Sequence, residues 1–325
     1  MSDIDIVITW VDGNDPLWIE EYNKYCPKAF KKEIDTSGKR YRDMGLLKYW
    51  FRGIEKFAPW VRKIHFVTNG QVPEWLNSNN SKIHLVKHSD YIPMEYLPVF
   101  SSHPIELMFH KIPGLAENFI YFNDDFYLVG DVSPEFFFKN NLPVDCGSYG
   151  IVNPIHKIRS IIYNNLCILN EHFSKTDYKG KCLSLKYSFI DNYKSILLMN
   201  FPFITGFLDN HAAIAYKKAT FEEVWNECSD VLSKTMESRF RSLSDVNQWL
   251  FRYWRLCKGE FYPTNIRKSV QVCNINDDKL SEYVLSGKFK EIIINDDECN
   301  DFNIRMEKVA DAFKQLLPQK STFEI

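Results

Sequence analysis

The first third of the chain alternates between strand-like and helix-like hydrophobic patterns, and this alternation constrains the fold more than any other feature. The predicted strands lie at 4–11, 64–68, 83–86 and 118–122, and the predicted helices at 45–57 and 104–112. The strands are compact apolar runs, whereas the helices carry apolar residues at intervals of three and four. Strands that alternate with helices predict parallel β/α units and a layered α/β core with helices on both faces of the sheet.

The hydrophobic pattern is weaker in the middle of the chain and becomes clearly helical again after it. Residues 139–200 mix polar residues with short apolar pieces, which predicts a mostly helical or irregular insertion. Two capping boxes then predict two helices. They are formed by Thr220 with Glu223 and by Ser242 with Asp245. Apolar spacing over 306–317 predicts a last helix, which we expect to pack on the core or, alternatively, to contact a membrane.

Composition excludes several classes of protein. The 325 residues carry 40 Lys and Arg against 42 Asp and Glu, so the chain lacks the basic surplus of a nucleic-acid-coating protein. The longest apolar stretch, at 195–208, is interrupted and too short to span a bilayer. No signal peptide is evident, and the eight cysteines form no CxxC pair. We therefore expect a cytoplasmic protein without a transmembrane segment.

One predicted strand ends in Asn123-Asp124-Asp125, an amide followed by two carboxylates. In open α/β sheets, ligands bind beyond the carboxyl ends of the strands. Adjacent carboxylates repel one another unless a cation lies beside them, and Mg²⁺ or Mn²⁺ shared with substrate phosphates is a common arrangement. The alternative is an Asx turn that leaves the strand. Because the tripeptide recurs at 276–278 and at 295–297, the pattern alone leaves both interpretations open.

Polar and aromatic residues also follow the first two predicted strands. Trp10, Asp12 and Gly13 offer an aromatic wall, a carboxylate and a close backbone approach to a nucleotide, although a simple turn explains them equally well. Asn69 and Gln71 offer amide groups after the second strand. Neither group forms a GxGxxG fingerprint, so dinucleotide binding is not indicated.

Cationic and titratable side chains elsewhere are candidates for anion binding and proton transfer. Two arginines precede the helix at 45–57, and helix N-termini favour anions. Farther along, a histidine of near-neutral pKa can accept a proton, while basic side chains can neutralise a phosphoryl group. The alternatives are solvated cations, a structural histidine and a helix-capping carboxylate. These residues are Arg40, Arg42, His211, Lys218, Arg241 and Asp245.

Taken together, these segments resemble the Stealth family of sugar-phosphate transferases. That family includes bacterial capsular polysaccharide phosphotransferases and the catalytic subunit of lysosomal-enzyme N-acetylglucosamine-1-phosphotransferase. The first family block appears at 4–16, and the second and longest runs over 40–138. A looser third block pairs His211 with Lys218, although the proline that usually follows the histidine is absent, and a fourth block matches 241–245.

The resemblance implies a role for each candidate residue. Asp124 and Asp125 would hold Mg²⁺ or Mn²⁺ at the donor phosphates. The nucleotide-sugar pocket would be formed by Trp10, Asp12, Gly13, Asn69, Gln71 and Asn123. The catalytic groups would be His211, Arg241, Lys218, Asp245 and Arg42. The other two Asn-Asp-Asp copies gain no role, because the family's metal motif is the copy inside the second block.

The implied activity is transfer of a sugar-1-phosphate from a nucleotide sugar, UDP-linked, to a hydroxyl of a glycan acceptor, with release of UMP. The setting would be capsular or extracellular polysaccharide synthesis, on an acceptor that is lipid-linked or a growing chain, with peripheral association at the inner face of the membrane. The alternatives are a GT-A-type glycosyltransferase that releases UDP and a non-catalytic sugar-nucleotide-binding subunit.

The resemblance also suggests how one catalytic domain is divided, within a Rossmann-like or GT-A-like layered sheet. The α/β core at 1–138 would bind the nucleotide sugar, and the insertion at 139–200 would face the acceptor. Residues 201–270 would supply the second half of the active site, and 271–325 would complete the core.

Overall fold

The computed structural model describes residues 2–26, 41–153, 155, 159–174, 181–209, 211–296, 299 and 301–325. Arg40 and Asp297, named above, lie outside the described residues. The strands are β1 (Ile4–Thr9), β2 (Ile64–Thr68), β3 (Ile83–Lys87), β4 (Asn118–Phe122), β5 (Phe126–Leu128), β6 (Phe138–Lys139), β7 (Leu142–Asp145), β8 (Ile214–Lys217), β9 (Tyr262–Pro263), β10 (Val270–Asn274) and β11 (Glu291–Asn295). The α-helices are α1 (Pro16–Tyr25), α2 (Leu47–Phe57), α3 (Ser102–Leu107), α4 (Arg159–His172), α5 (Phe189–Leu198), α6 (Lys218–Glu227), α7 (Ser229–Met236), α8 (Trp249–Lys258), α9 (Leu280–Leu285) and α10 (Phe302–Leu316).

The main sheet has the strand order β3-β2-β1-β4-β8. Its first four strands are parallel, and β8 joins the edge antiparallel to β4. The four strands predicted from the first third of the sequence are therefore confirmed. Strand order reverses between β1 and β4, because the chain first adds strands on one side of β1 and then returns to the other. A crevice at the carboxyl ends of these two strands is the usual ligand site of such a sheet.

Both faces of the sheet are covered, as the sequence predicts. Successive side chains of a strand point to opposite faces, so Ile6 and Ile8 enter one hydrophobic core and Val7 enters the other. Trp50 of α2 lies fully buried in the first core, and Phe251 of α8 in the second. A parallel sheet buried on both faces explains why its strands read as nearly continuous apolar runs.

The C-terminal part of the chain returns to the strand that follows Asp125. A second sheet has the order β10-β11-β5, with β10 parallel and β5 antiparallel to β11. Helix α10 is present where a last helix was predicted, and Phe313 on its buried side lies 5.8 Å from the ring of Tyr49 in α2. The apolar face of α10 therefore packs on the core, and this packing explains its hydrophobic pattern.

Two of the predicted helix starts are wrong. Helix α6 begins at Lys218, so Thr220 is buried within its first turn and caps nothing. The helix starts early because β8 leads directly into it and the Lys218 backbone N–H donates to the Glu117 carbonyl (2.9 Å). Similarly, α8 begins only at Trp249, several residues beyond the predicted start.

The described part of the insertion contains the helices α4 and α5 and the strand β7, with irregular segments between them. Within the described parts of the chain, no helix is both long enough and apolar enough to cross a membrane.

A buried charge cluster joins the insertion to α8. Both carboxylate oxygens of Asp145 accept hydrogen bonds from Arg252, at 2.7 and 2.9 Å, and Arg255 binds the same carboxylate. Burial by itself raises the pKa of Asp145, but the two guanidinium groups outweigh it and lower that pKa below its usual value. In this buried network, the Asp145 carboxylate and the two guanidinium groups stabilise one another's charged forms.

We expect Asp145→Ala to destabilise the protein by roughly 3–5 kcal/mol, because it leaves two buried guanidinium groups without their carboxylate. Chemical denaturation measures this loss. Asp278→Ala is the matched control, because Asp278 pairs with Arg305 on the surface, where exposed pairs contribute little. Equal destabilisation by both substitutions would contradict the prediction.

Candidate active site

A cavity of about 640 Å³ opens at the carboxyl ends of β1 and β4, where strand order reverses. Residues from several predicted groups line it together: Trp10, Arg42, Asn69, Asn123, Asp124, Asp125, His211 and Arg241. The acidic pair after β4 and the distant basic and imidazole side chains therefore share one cavity, although up to 117 positions separate them along the chain (Asp124 to Arg241).

Asp124 and Asp125 occupy the tight turn between β4 and β5, which the Phe126 N–H closes by donating to the Asn123 carbonyl (3.2 Å). The Asp124 carboxylate is open to the cavity but surrounded by protein, and this burial, with the charge of Asp43, raises its pKa to about 6. Burial and the neighbouring Asp124 raise the pKa of Asp125 further above its usual value. The surroundings of this turn therefore disfavour negative charge on both carboxylates.

This turn fits a hard divalent cation. One carboxylate oxygen of Asp125, Oδ1, is buried and has no hydrogen-bond partner among the residues that the structure describes. A buried carboxylate oxygen without a donor is unfavourable, and a bound cation would satisfy it. In the described residues, no three His, Cys, Asp or Glu side chains gather closely enough to bind a metal by themselves. Mg²⁺ suits such a site, because it is commonly held by one or two carboxylates, with water and substrate phosphates completing its shell.

The loop after β1 forms one wall of the cavity. Trp10 lines the cavity, and its ring stacks on Phe66 of β2 with centroids 5.8 Å apart. Gly13 lies behind this wall, where a Cβ atom would stand 2.3 Å from the carbonyl oxygen of Tyr41. The glycine is therefore needed for close packing of two backbone segments, as its N–H bond to that oxygen (3.0 Å) shows.

Two of the predicted pocket residues, Asp12 and Gln71, are absent from the cavity wall and bind each other instead. The Asp12 backbone N–H donates to Gln71 Oε1 (2.9 Å), and Gln71 Nε2 donates to the Asp12 carbonyl (3.0 Å) and to Asp15 (2.8 Å). These bonds fasten the loop after β1 to the loop after β2. Asn69, two residues before Gln71, does line the cavity.

Arg42 lies on the cavity wall and is held by two groups from the far end of the chain. Its guanidinium group forms a bidentate pair with Asp296, with Nε 3.1 Å from Oδ2, and stacks 3.4 Å from the ring centroid of Phe302. Asp296 belongs to the third Asn-Asp-Asp copy, to which the sequence assigned no role, and it also lines the cavity. That expectation is corrected: this copy reaches the site because β11 ends beside β5.

If Asp296 acts by orienting Arg42, their substitutions should not be additive. We expect Arg42→Ala to weaken donor binding roughly tenfold to a hundredfold, the range for a lost charge-assisted hydrogen bond. Asp296→Ala should weaken it less, and the double variant should resemble Arg42→Ala alone. Donor KM and kcat for the four proteins measure the coupling, and fully additive losses would show that Asp296 acts independently of Arg42.

His211 also lines the cavity, just before β8. The register pairs Ile214 with Tyr121, so the chain before β8 runs past the carboxyl end of β4. The His211 ring packs 5.2 Å from that of Phe126. Burial lowers its pKa, although Asp209 and a hydrogen bond that the ring donates to Asn295 act in the opposite direction. The imidazole is therefore neutral at pH 7 and able to accept a proton.

The remaining predicted catalytic residues have different positions. Arg241 lines the cavity, and its guanidinium group lies 3.3 Å from Ser102 Oγ. Asp245 lies behind the wall, where it accepts the Ser242 N–H (2.8 Å) and pairs with His103 Nδ1 (2.9 Å), and His103 lines the cavity. Lys218 follows β8 and lies beside the start of β4, whereas Asp124 follows the end of β4. Lys218 is therefore at the opposite end of the strands and does not line the cavity.

Sequence reasoning missed several titratable residues in the cavity wall, and one of them is Glu106 of α3. The side chain is buried, and Tyr121 donates a hydrogen bond to it (3.1 Å). Burial raises its pKa to about 7, although Arg241 acts in the opposite direction. The signal in the sequence was a carboxylate between two apolar residues, Ile105 and Leu107, but a helix with one polar position gives the same pattern.

Family models and full-length relatives match this chain. Family models match residues 2–28, as Stealth protein CR1 (conserved region 1), and residues 40–145, as Stealth protein CR2 (conserved region 2). The capsular polysaccharide phosphotransferase WcwK of Streptococcus pneumoniae is 39% identical over 329 residues, covering 100% of this chain and 99% of that protein. The exopolysaccharide phosphotransferase cps2G of Lactiplantibacillus plantarum is 35% identical, covering 99% and 96%.

Among solved structures, the bifunctional glycosyltransferase WbbM in its apo form overlays with a TM-score of 0.39 at 10% identity, covering 98% of this chain and 52% of that one. A likeness at this level carries no argument about function. The two conserved regions and the relatives that match over their full length show that this chain belongs to the Stealth family of phosphotransferases.

Proposed function

We propose that this protein transfers a sugar-1-phosphate from a UDP-linked sugar to a hydroxyl of a glycan acceptor. The acceptor oxygen forms a bond to the phosphorus that carries the sugar, and the bond from that phosphorus to the bridging oxygen breaks. UMP leaves, the hydroxyl proton passes to a base on the protein, and a phosphodiester joins the sugar to the acceptor. The products belong to capsular or extracellular polysaccharide synthesis.

The observation that supports this proposal most directly is the charge arrangement of the cavity. Asp124 and Asp125 line the same cavity as the cations Arg42 and Arg241. One carboxylate oxygen of Asp125 has no hydrogen-bond partner among the described residues. A diphosphate with a bound divalent cation needs carboxylates on the metal side and cations around the remaining oxygens. The names of the relatives, capsular and exopolysaccharide phosphotransferases, point to the same class of reaction.

Phosphoryl transfer depends mainly on positioning and on electrostatic stabilisation. When bound at Asp124 and Asp125, Mg²⁺ or Mn²⁺ would neutralise charge on the two donor phosphates. Arg42 and Arg241 bring positive charge to the same cavity, while Trp10 offers a face for the nucleotide base. The bonds between Gln71 and the loop after β1 keep this wall in place.

Two residues in the cavity wall are suited to accept the proton of the attacking hydroxyl. Glu106, with its pKa raised to about 7, is half ionised near neutral pH, where a general base is most effective. His211, with its pKa lowered from the usual value, is neutral under the same conditions. Of the two, we assign the base to Glu106, because Tyr121 and Arg241 hold its carboxylate inside the cavity.

Identification of the released nucleotide tests the proposal. The protein would be incubated with Mg²⁺, a panel of UDP-sugars and glycan acceptors, and the products separated by chromatography. UMP released together with a phosphodiester-linked product is the expected result. Release of UDP would instead identify a glycosyltransferase that attacks the anomeric carbon, and donor binding without turnover on any acceptor would indicate a non-catalytic subunit.

A further inference from the structure

Helix α5 has its polar and apolar sides reversed relative to an ordinary surface helix. Phe189, Tyr193 and Ile196 follow one another at helical spacing and point outward, with Phe189 84% exposed. Ile190 and Leu197 lie beside them and are also exposed. The buried positions are Asp191, Ser195 and Leu198. A continuous apolar stripe on the exposed side of a helix indicates an interaction surface, whereas single exposed apolar residues are common and indicate nothing.

Hydrogen bonds on the inner side hold the helix in this orientation. Ser195 Oγ accepts the Tyr149 N–H (3.0 Å) and lies 2.9 Å from Ser148 Oγ. The Asp191 carboxylate accepts from Asn265 (2.9 Å) and pairs with Arg267. Rotating α5 to bury its apolar side would break these bonds and leave a buried carboxylate unpaired. The outward apolar stripe is therefore built into the fold.

The exposed apolar surface extends beyond the helix on both sides. Leu185 precedes α5 and is fully exposed, and Met199, Phe201 and Phe203 follow it with nearly half of each side chain exposed. We call this surface, from 185 to 203, the apolar patch. From its end the chain runs directly to Asp209 and His211, which line the cavity.

The exposed charged side chains within residues 181–203 all have one sign. Residues 181–203 contain three lysines, Lys181, Lys186 and Lys194, and one carboxylate, Asp191. That carboxylate is buried and paired with Arg267, so it does not offset the lysines at the surface. Aromatic and aliphatic side chains with lysines at their border are typical of surfaces that lie in the headgroup region of an anionic bilayer.

We propose that the apolar patch binds the surface of an anionic lipid bilayer. Phe189, Ile190, Tyr193 and Leu197 enter the boundary between headgroups and acyl chains, while Lys186 and Lys194 contact lipid phosphates. A second copy of this chain is a poorer occupant, because a two-fold contact would bring these lysines against their counterparts, and residues 181–203 offer no exposed carboxylate to separate them. The inference does not depend on the reaction proposed above.

Sedimentation with lipid vesicles tests this inference on the full chain. We expect binding to vesicles of phosphatidylglycerol and phosphatidylcholine, and at least tenfold weaker binding to phosphatidylcholine alone. Substituting serine at Phe189, Ile190, Tyr193 and Leu197 together should weaken binding at least tenfold. The matched control carries Met94→Ser and Ile304→Ser, which remove exposed apolar side chains elsewhere, and should bind like the original protein.

A second variant tests the charge argument separately. Lys186→Glu with Lys194→Glu should remove the preference for phosphatidylglycerol while leaving the circular dichroism spectrum unchanged. No binding of the original protein to either vesicle, or equal binding by the patch variant and its control, would overturn the proposal. A dimer in light scattering that the patch substitutions dissociate, without vesicle binding, would assign the surface to a second copy instead.

Discussion

Asp125→Asn is expected to lower turnover by about 10²–10³-fold while making the metal-free protein more stable. The carboxylate at this position lies beside Asp124, and burial together with that neighbour raises its pKa. In the absence of a cation, holding two charges together in this turn opposes folding, and this penalty grows as the pH rises above the usual pKa of an aspartate. An asparagine keeps the shape of the side chain and removes one charge, so its melting temperature at pH 8 should be a few degrees higher.

The response to Mg²⁺ separates a metal ligand from a merely buried carboxylate. Thermal melts should show that Mg²⁺ raises the melting temperature of the original protein but not that of Asp125→Asn, because a ligand that binds only the folded state stabilises it. Asp278→Asn, in the second Asn-Asp-Asp copy, is the control, since its side chain is exposed and pairs with Arg305. Equal activity losses at both positions would show that the metal site is wrongly placed.

We expect the activity of the original protein to rise near pH 7, and Glu106→Gln to abolish that rise. A general base acts in its ionised form, and burial raises the pKa of Glu106 to about 7, so kcat/KM should increase as the pH passes through that value. The glutamine variant should have low activity with no inflection there. If His211 were the base, the rise would lie below pH 6.5 instead, because the pKa of that histidine is lowered.

Stability provides a second measurement for the same substitution. The folded-state pKa of Glu106 lies above its usual value of 4.5, so the folded protein holds this proton more tightly than the unfolded chain. The original protein should therefore lose stability as the pH rises from about 4.5 to about 7, and Glu106→Gln should not show that loss. At pH 8 the variant should melt at a higher temperature, an outcome that a general disruption of the site would not produce.

Local sequence patterns were sufficient to predict those strands and helices that depend only on residues close together in the chain. The strands β1 to β4, helix α2 and helix α10 follow from hydrophobic periodicity, because each buries a continuous run or one stripe of apolar side chains. The position of Asp124 and Asp125 at the mouth of the sheet follows from the same patterns. The capping boxes failed because strand β8 continues into α6 and Asp245 binds His103, contacts that spacing alone does not reveal.

The cavity depends on contacts that no local pattern contains. Arg42 meets Asp296 across 254 positions, and Asp245 meets His103 across 142. The same tripeptide, Asn-Asp-Asp, lies at the cavity in its first copy, reaches it through Asp296 in its third, and is on the surface at Asp278 in its second. Identical residues therefore differ in environment because of the strands that precede them.

The sequence by itself determined the layered α/β core, the acidic turn after β4 and membership of the family, since these depend on residue order and short-range periodicity. Only the tertiary structure decided which distant cations share the cavity, that Glu106 is buried with a raised pKa, and that α5 turns its apolar side outward. The physical reason is that pKa values and helix orientation depend on burial and on hydrogen-bond partners. Both are established when segments far apart in the chain pack together.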